Sequence, residues 1–218
     1  MSLNKINITL DNNHIGQLGG GAWLNSIAAW PVDEETGELL LPLVSLEAAF
    51  FPVPQIPPGS MITVFVPAQS HGLLTGERRE RMSHNSNTAT LNPARLSTRM
   101  ILHHKGSEEL YPPSVKLLPK GYLSLEPMSD KELDQENKHS FNGLPVSKQM
   151  GRAYWLQEMI RISPRYHLLC QLSEQELVDF DPSYQGILGQ GLGYVFLDYR
   201  IKTLQDGDAA GFFFIQHG

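Results

Sequence analysis

The property that most constrains this chain is its resemblance to itself. Gln17-Leu18-Gly19-Gly20-Gly21-Ala22-Trp23-Leu24 aligns without a gap on Gln149-Met150-Gly151-Arg152-Ala153-Tyr154-Trp155-Leu156. Further matches follow each copy in the same order. After the first Trp-Leu come an apolar run at 39–44, Ser45, a short stretch at 46–51, a Pro/Gly loop at 52–60 and a second run at 61–66. After the second come a run at 167–172, Ser173, a stretch at 174–180, a Pro/Gly loop at 182–191 and a run at 193–199. Short apolar runs bounded by Pro and Gly predict strands rather than helices. Ser45 and Ser173 are placed to N-cap one or two helical turns, and Glu176, three residues after Ser173, would complete a capping box. The expected fold class is therefore α+β: predominantly antiparallel β with few short helices, in two pseudo-repeated halves that share one core.

Other stretches fill in this plan. Residues 4–10 alternate Ile6, Ile8 and Leu10 on one face and predict a first strand ended by Asp11-Asn12-Asn13. Residues 99–104 predict another strand, and 115–125 hold room for one more. Ser129-Asp130-Lys131-Glu132 is a capping box opening a short helix to about Lys138. Residues 69–98 are poor in large apolar side chains and predict a long excursion or a loop. The chain is thus expected to be a single domain over 1–218, with related halves at about 1–126 and 146–218 joined by a connector at 127–145. Each half has too few strands to bury its apolar face alone.

Composition excludes some function classes. A chain of 218 residues can bury a sizeable core without staples, and its single cysteine, Cys170, sits in an apolar run as a small hydrophobe. The first residues lack the charged start and apolar core of a signal peptide, and no run reaches the ~20 apolar residues of a membrane span. A cytoplasmic protein without membrane association is the expectation. The formal net charge of −6 disfavours nucleic acid and anionic lipid as partners.

Familiar catalytic patterns are missing. The glycines at 16–21 are followed by Ala22-Trp23 where a phosphate loop needs Lys and Ser or Thr, and Gly189-Gln190-Gly191-Leu192-Gly193 lacks the third spaced glycine of a dinucleotide site. Both read as turns. The segment opening at Asp179 has Tyr184 where a calcium loop needs glycine, and His103-His104 would face opposite sides of a strand. No metal and no cofactor are expected, and no catalytic residue is assigned.

Two features suggest binding. Arg78, Arg79, Arg81, Arg95 and Arg99, with Lys105, outnumber Glu77 and Glu80 in one segment of an acidic chain. They read either as a docking surface for an acidic protein partner or as a solvated loop with local ion pairs. Trp23 and Trp155 occupy matching positions, and Arg152 replaces Gly20 in the second copy. A pocket between the halves would draw on Trp23, Arg152, Trp155 and Gln157.

The Gly-Gly motif, Trp30-Pro31 followed by Gly37 and a strand, the Leu-Leu-x-Gln-Leu run at 168–172 and the closing Phe212-Phe213-Phe214-Ile215-Gln216 resemble the YwqG-like family, a domain family of unknown function. The resemblance spans roughly 16–216. It departs at Ala22, at Ser45-Leu46-Glu47 and at Leu188-Gly189-Gln190, where the family carries Pro, Gln-Ile-Asp and Trp-Gly-Asp. The resemblance implies a largely antiparallel α+β fold with two similar halves and no established catalytic residues. Some members are encoded beside contact-toxin genes, which implies an immunity or partner-binding role. The expected function is a non-enzymatic, protein-partner-binding domain; the alternative is a small-molecule binder or enzyme with a pocket between the halves.

Overall fold

A computed structural model describes residues 3–53, 55–68, 76–86 and 91–218. Ten strands form one sheet: β1 Asn4–Thr9, β2 Gly16–Leu18, β3 Leu41–Glu47, β4 Ser60–Val66, β5 Arg99–His104, β6 Gly121–Pro127, β7 Lys148–Gln149, β8 Tyr166–Ser173, β9 Leu192–Asp198 and β10 Gly211–Gln216. Among the described residues three short α-helices accompany them: α1 Gly76–Met82, α2 Asp130–Asn137 and α3 Glu174–Phe180. The strand order is β10-β9-β8-β7-β1-β6-β2-β3-β4-β5, and every neighbouring pair is antiparallel.

The outer strands approach one another. Leu102 N–H donates to Asp208 O, Gly207 N–H to Leu102 O and Ala210 N–H to Met100 O, all within 3.0 Å. The Thr98 hydroxyl adds a bond of 2.6 Å to Phe213 O. The sheet is therefore a nearly closed barrel, which leaves little exposed edge. Leu18, Val44, Leu46, Val64, Met100, Leu102, Cys170, Leu172, Val195, Leu197, Phe213 and Ile215 share one core. Every residue of β4 and β9 is buried, so both faces of these strands are covered. The second face packs against Leu24 and Trp30 near Phe65, and against Ala153 and Ile160 near Tyr194 and Phe196.

Several expectations need local correction. Ser45 does not cap a turn; it lies within β3, and its hydroxyl bonds Thr63 Oγ1 at 2.9 Å. Ser173 is the N-cap residue of α3 but makes no side-chain cap bond, and Glu176 accepts the Ser147 N–H at 2.8 Å rather than closing a capping box. The capping box at Ser129 and Glu132 is present. The segment 69–98 contains α1 and a 3-10 turn at Pro93–Arg95, while 69–75 and 87–90 lie outside the described residues. No helix among the described residues is long and apolar enough to cross a membrane.

Candidate functional site

After β7 the chain turns sharply. Met150 and Gly151 have φ of 61° and 80°, the left-handed region that favours glycine. The backbone equivalents after β2 are Gly19 and Gly20, at 58° and 69°. A methionine held in that conformation costs about 1–3 kcal/mol, and such strain tends to sit where a side chain is needed. Met150 forms one wall of a cavity of about 480 Å³, together with Val53, Gln55, Gly151, His167, Leu168, Tyr199, Ile201 and Lys202.

Each wall is held from behind. Gln149 donates from its amide to Phe50 O and accepts from Asn4 Nδ2 at 2.7 Å, tying β7 to the 3-10 turn Ala48–Phe50 that leads into Val53 and Gln55. A register shift between Leu168 and Cys170 marks a bulge in β8 beside His167. Bulges re-aim side chains. Tyr199 and Lys202 follow β9, and the buried Asp198 carboxylate fixes that turn by accepting Arg200 N–H at 2.9 Å and Arg165 Nε at 2.8 Å.

The polar groups of the cavity are few. The His167 and Tyr199 rings lie 4.6 Å apart between centroids, and burial pushes the His167 pKa below its ordinary value, so the ring is neutral near pH 7. Its Nδ1 is buried without a hydrogen-bond partner among the described residues. Among its described lining residues, Lys202 is the one charged side chain by formal count, alongside the titratable His167 and Tyr199. The rim is apolar, with Val53 46% and Tyr199 63% exposed. A volume in the ~300–1,000 Å³ range with apolar walls and a few convergent polar groups is what a small-molecule site requires.

Two other cavities offer less. One of about 510 Å³ borders α3, but its Glu174 carboxylate already accepts the N–H groups of Gly186, Leu188 and Gln190 within 2.9 Å. One of about 700 Å³ lies beside α1 and includes His84, Arg81 and Arg95. A buried polar row crosses β3, β4 and β5: Thr63 Oγ1 meets Ser45 Oγ at 2.9 Å and His103 Nε2 at 2.8 Å, and His103 Nδ1 lies 2.9 Å from His104 O. With Nδ1–H donating to that carbonyl, Nε2 accepts from Thr63, so the row is internally satisfied.

The residues expected to form an inter-half pocket do not converge. Trp23 donates to Gln17 Oε1 at 3.1 Å, with Lys105 Nζ over its ring. Arg152 donates from its backbone to Glu136 at 2.7 Å and from its guanidinium to His139 O at 3.0 Å; Trp155 stacks on Tyr194; Gln157 donates to His217 O at 2.9 Å. None of the four lines any of these three cavities. Three antiparallel steps separate β2 from β7, so their C-terminal ends leave the sheet in opposite directions and carry Trp23 away from Arg152.

The arginine cluster is also arranged differently from a docking patch. Arg81 pairs with Asp33, and with Glu35 at 3.1 Å; Arg99 pairs with Glu34 at 2.6 Å. Arg78 is buried, its Nε donating to Pro67 O at 2.6 Å, and burial lowers its pKa to about 10. Arg79 is half-buried and packs beside Gly189, which leaves Arg95 exposed. The acidic surface that meets Arg81 and Arg99 is the chain's own turn at 33–35.

Among the described residues, no group of three or more His, Cys, Asp or Glu is placed to hold a metal ion. No protein-family model matches the chain, and no curated protein sequence matches it.

Proposed function

We propose that the chain is a small-molecule-binding domain whose site is the cavity between Val53, Met150, His167, Tyr199 and Lys202. The observation that carries this reading is Met150, a residue held in the left-handed backbone region whose side chain walls a 480 Å³ cavity also lined by His167, Tyr199 and Lys202. Binding without catalysis fits the lining better, since its described residues include no carboxylate and no serine, threonine or cysteine. The protein-docking reading has less support, because Arg81 and Arg99 already hold acids of the same chain. The test is a ligand-observed NMR fragment screen on the wild type and on Val53→Trp, which fills the rim. Hits lost in the variant support the site; hits that all survive it contradict the site.

The cavity draws on both parts of the chain, and we propose that these parts are two related halves sharing one core. In support, the strand order reads the same outward from the β1–β6 pair, and β3 and β8 carry matching register shifts. Glu109 accepts Gly21 N–H and Gln17 Nε2, while Glu136 accepts Arg152 N–H and Lys148 Nζ. These bonds match Gln17 to Lys148 and Gly21 to Arg152, a shift of one residue from the ungapped alignment, so that Trp23 corresponds to Tyr154. The division that the strand order favours falls between β5 and β6, which puts residues 127–145 inside the second half. The antiparallel order also agrees with the YwqG-like resemblance, which remains part of this proposal.

A further inference from the structure

We infer that the His167 cavity takes a small apolar organic anion, a carboxylate or sulfonate whose body lies on Met150, Leu168, Ile201 and Tyr199 and whose charge meets Lys202. This inference rests on the cavity being a binding site. Its basis is charge. Of the nine described lining residues, Lys202 carries the one formal charge at neutral pH, and no acidic side chain accompanies it among them. Four other lysines are ion-paired, Lys5 with Glu126 and Glu132, Lys105 with Glu47, Lys120 with Glu109 and Lys148 with Glu136, whereas Lys116, Lys131 and Lys138 have no ion pair among the described residues. Lys202 has no such ion pair among the described residues. Asp198, at the start of the same turn, is already engaged by Arg165 and Arg200.

On a chain of net charge −6, an anion is repelled by the average field, so recognition must come from the local group. The exposed Lys202 ammonium supplies it through a charge-assisted contact. The walls set the rest of the ligand. Val53 and Tyr199 leave apolar surface at the rim, and the Tyr199 ring offers a stacking face. A doubly charged or wholly polar ligand would leave Leu168, Met150 and Ile201 unmatched, and a cation would meet Lys202 with like charge.

The test uses a matched pair of fluorescent probes, anilinonaphthalene sulfonate and phenylnaphthylamine, which differ by the sulfonate. They are titrated into the wild type, Lys202→Met and Val53→Trp, with circular dichroism confirming that each variant is folded. The expected result is that the sulfonate binds the wild type about tenfold more tightly than the neutral probe, the margin of one charge-assisted contact. Lys202→Met should remove that margin, and Val53→Trp should weaken both probes. Equal affinities that ignore Lys202→Met but fall in Val53→Trp would overturn the anion preference and leave the site standing. Binding of neither probe, or binding indifferent to Val53→Trp, would overturn the site itself.

Discussion

Lys148 Nζ donates to Glu136 Oε2 at 2.6 Å, and both side chains are shut off from solvent, at 0% and 1% exposure. Burial lowers the Lys148 pKa while Glu136 holds it up. Glu136 also accepts the N–H groups of Leu144 and Arg152, so one carboxylate ties α2 to both sides of β7 and supports the turn that displays Met150. Lys148→Met strands a buried charge and should cost about 3–5 kcal/mol in urea unfolding. Adding Glu136→Gln should recover part of it, since no unpaired charge remains. A loss below about 1 kcal/mol for Lys148→Met would show that the pair does not support this region.

Met150→Gly removes both the strain and a wall of the cavity. Stability should stay level or rise by up to about 1 kcal/mol, because relief of the left-handed strain is partly offset by glycine's greater freedom when unfolded. Affinity for the sulfonate probe should fall. At the matching position, Gly19→Ala should be destabilising, since a Cβ there would stand 2.4 Å from Pro119 O. Thermal melts with and without probe separate the two effects, and a Met150→Gly protein that binds unchanged would remove methionine from the site.

Burial lowers the folded-state pKa of both His103 and His167 below the usual 6.5, with a smaller opposing effect at His103 from its bond to the His104 carbonyl. Below 6.5 the unfolded chain therefore binds more protons than the folded one, so stability rises with pH through this window and falls as the solution is acidified. Urea unfolding between pH 7 and pH 5 should show that slope, and His103→Gln should flatten it. A curve level over this range would contradict the burial of these rings as neutral species.

The ion pairs around the 33–35 turn make Arg81 and Arg95 behave differently. Arg81→Ala leaves the Asp33 carboxylate, 3% exposed, without its guanidinium and should cost about 1.5–3 kcal/mol. The exposed Arg95→Ala should stay within about 0.5 kcal/mol. Equal, negligible effects in chemical denaturation would restore the view of these arginines as a free surface.

The larger strands were legible because their apolar and β-branched runs are long enough to carry a signal. Residues 61–66, 99–104 and 212–216 each fall within β4, β5 or β10. The three residues of β2 and the two of β7 are too short to carry such a signal, and the glycines around β2 read as turns. α1 was missed because its Gly-Glu-Arg-Arg-Glu-Arg sequence has no apolar face until Met82, which enters the core. The cavity was illegible for a different reason. Val53, Met150, His167 and Lys202 are far apart in sequence and converge only through the fold. The ungapped alignment set Met150 over Leu18, which hid the one clue available: a methionine where the other copy's backbone needs glycine.

The most direct measurement is an amide chemical-shift map of the isotope-labelled protein titrated with the sulfonate probe. The account predicts saturable shifts concentrated at Gln55, Gly151, His167, Leu168, Tyr199 and Lys202, with little change around Trp23 or Arg95. Shifts centred on His84 and Arg95, or spread without saturation over the surface, would contradict it.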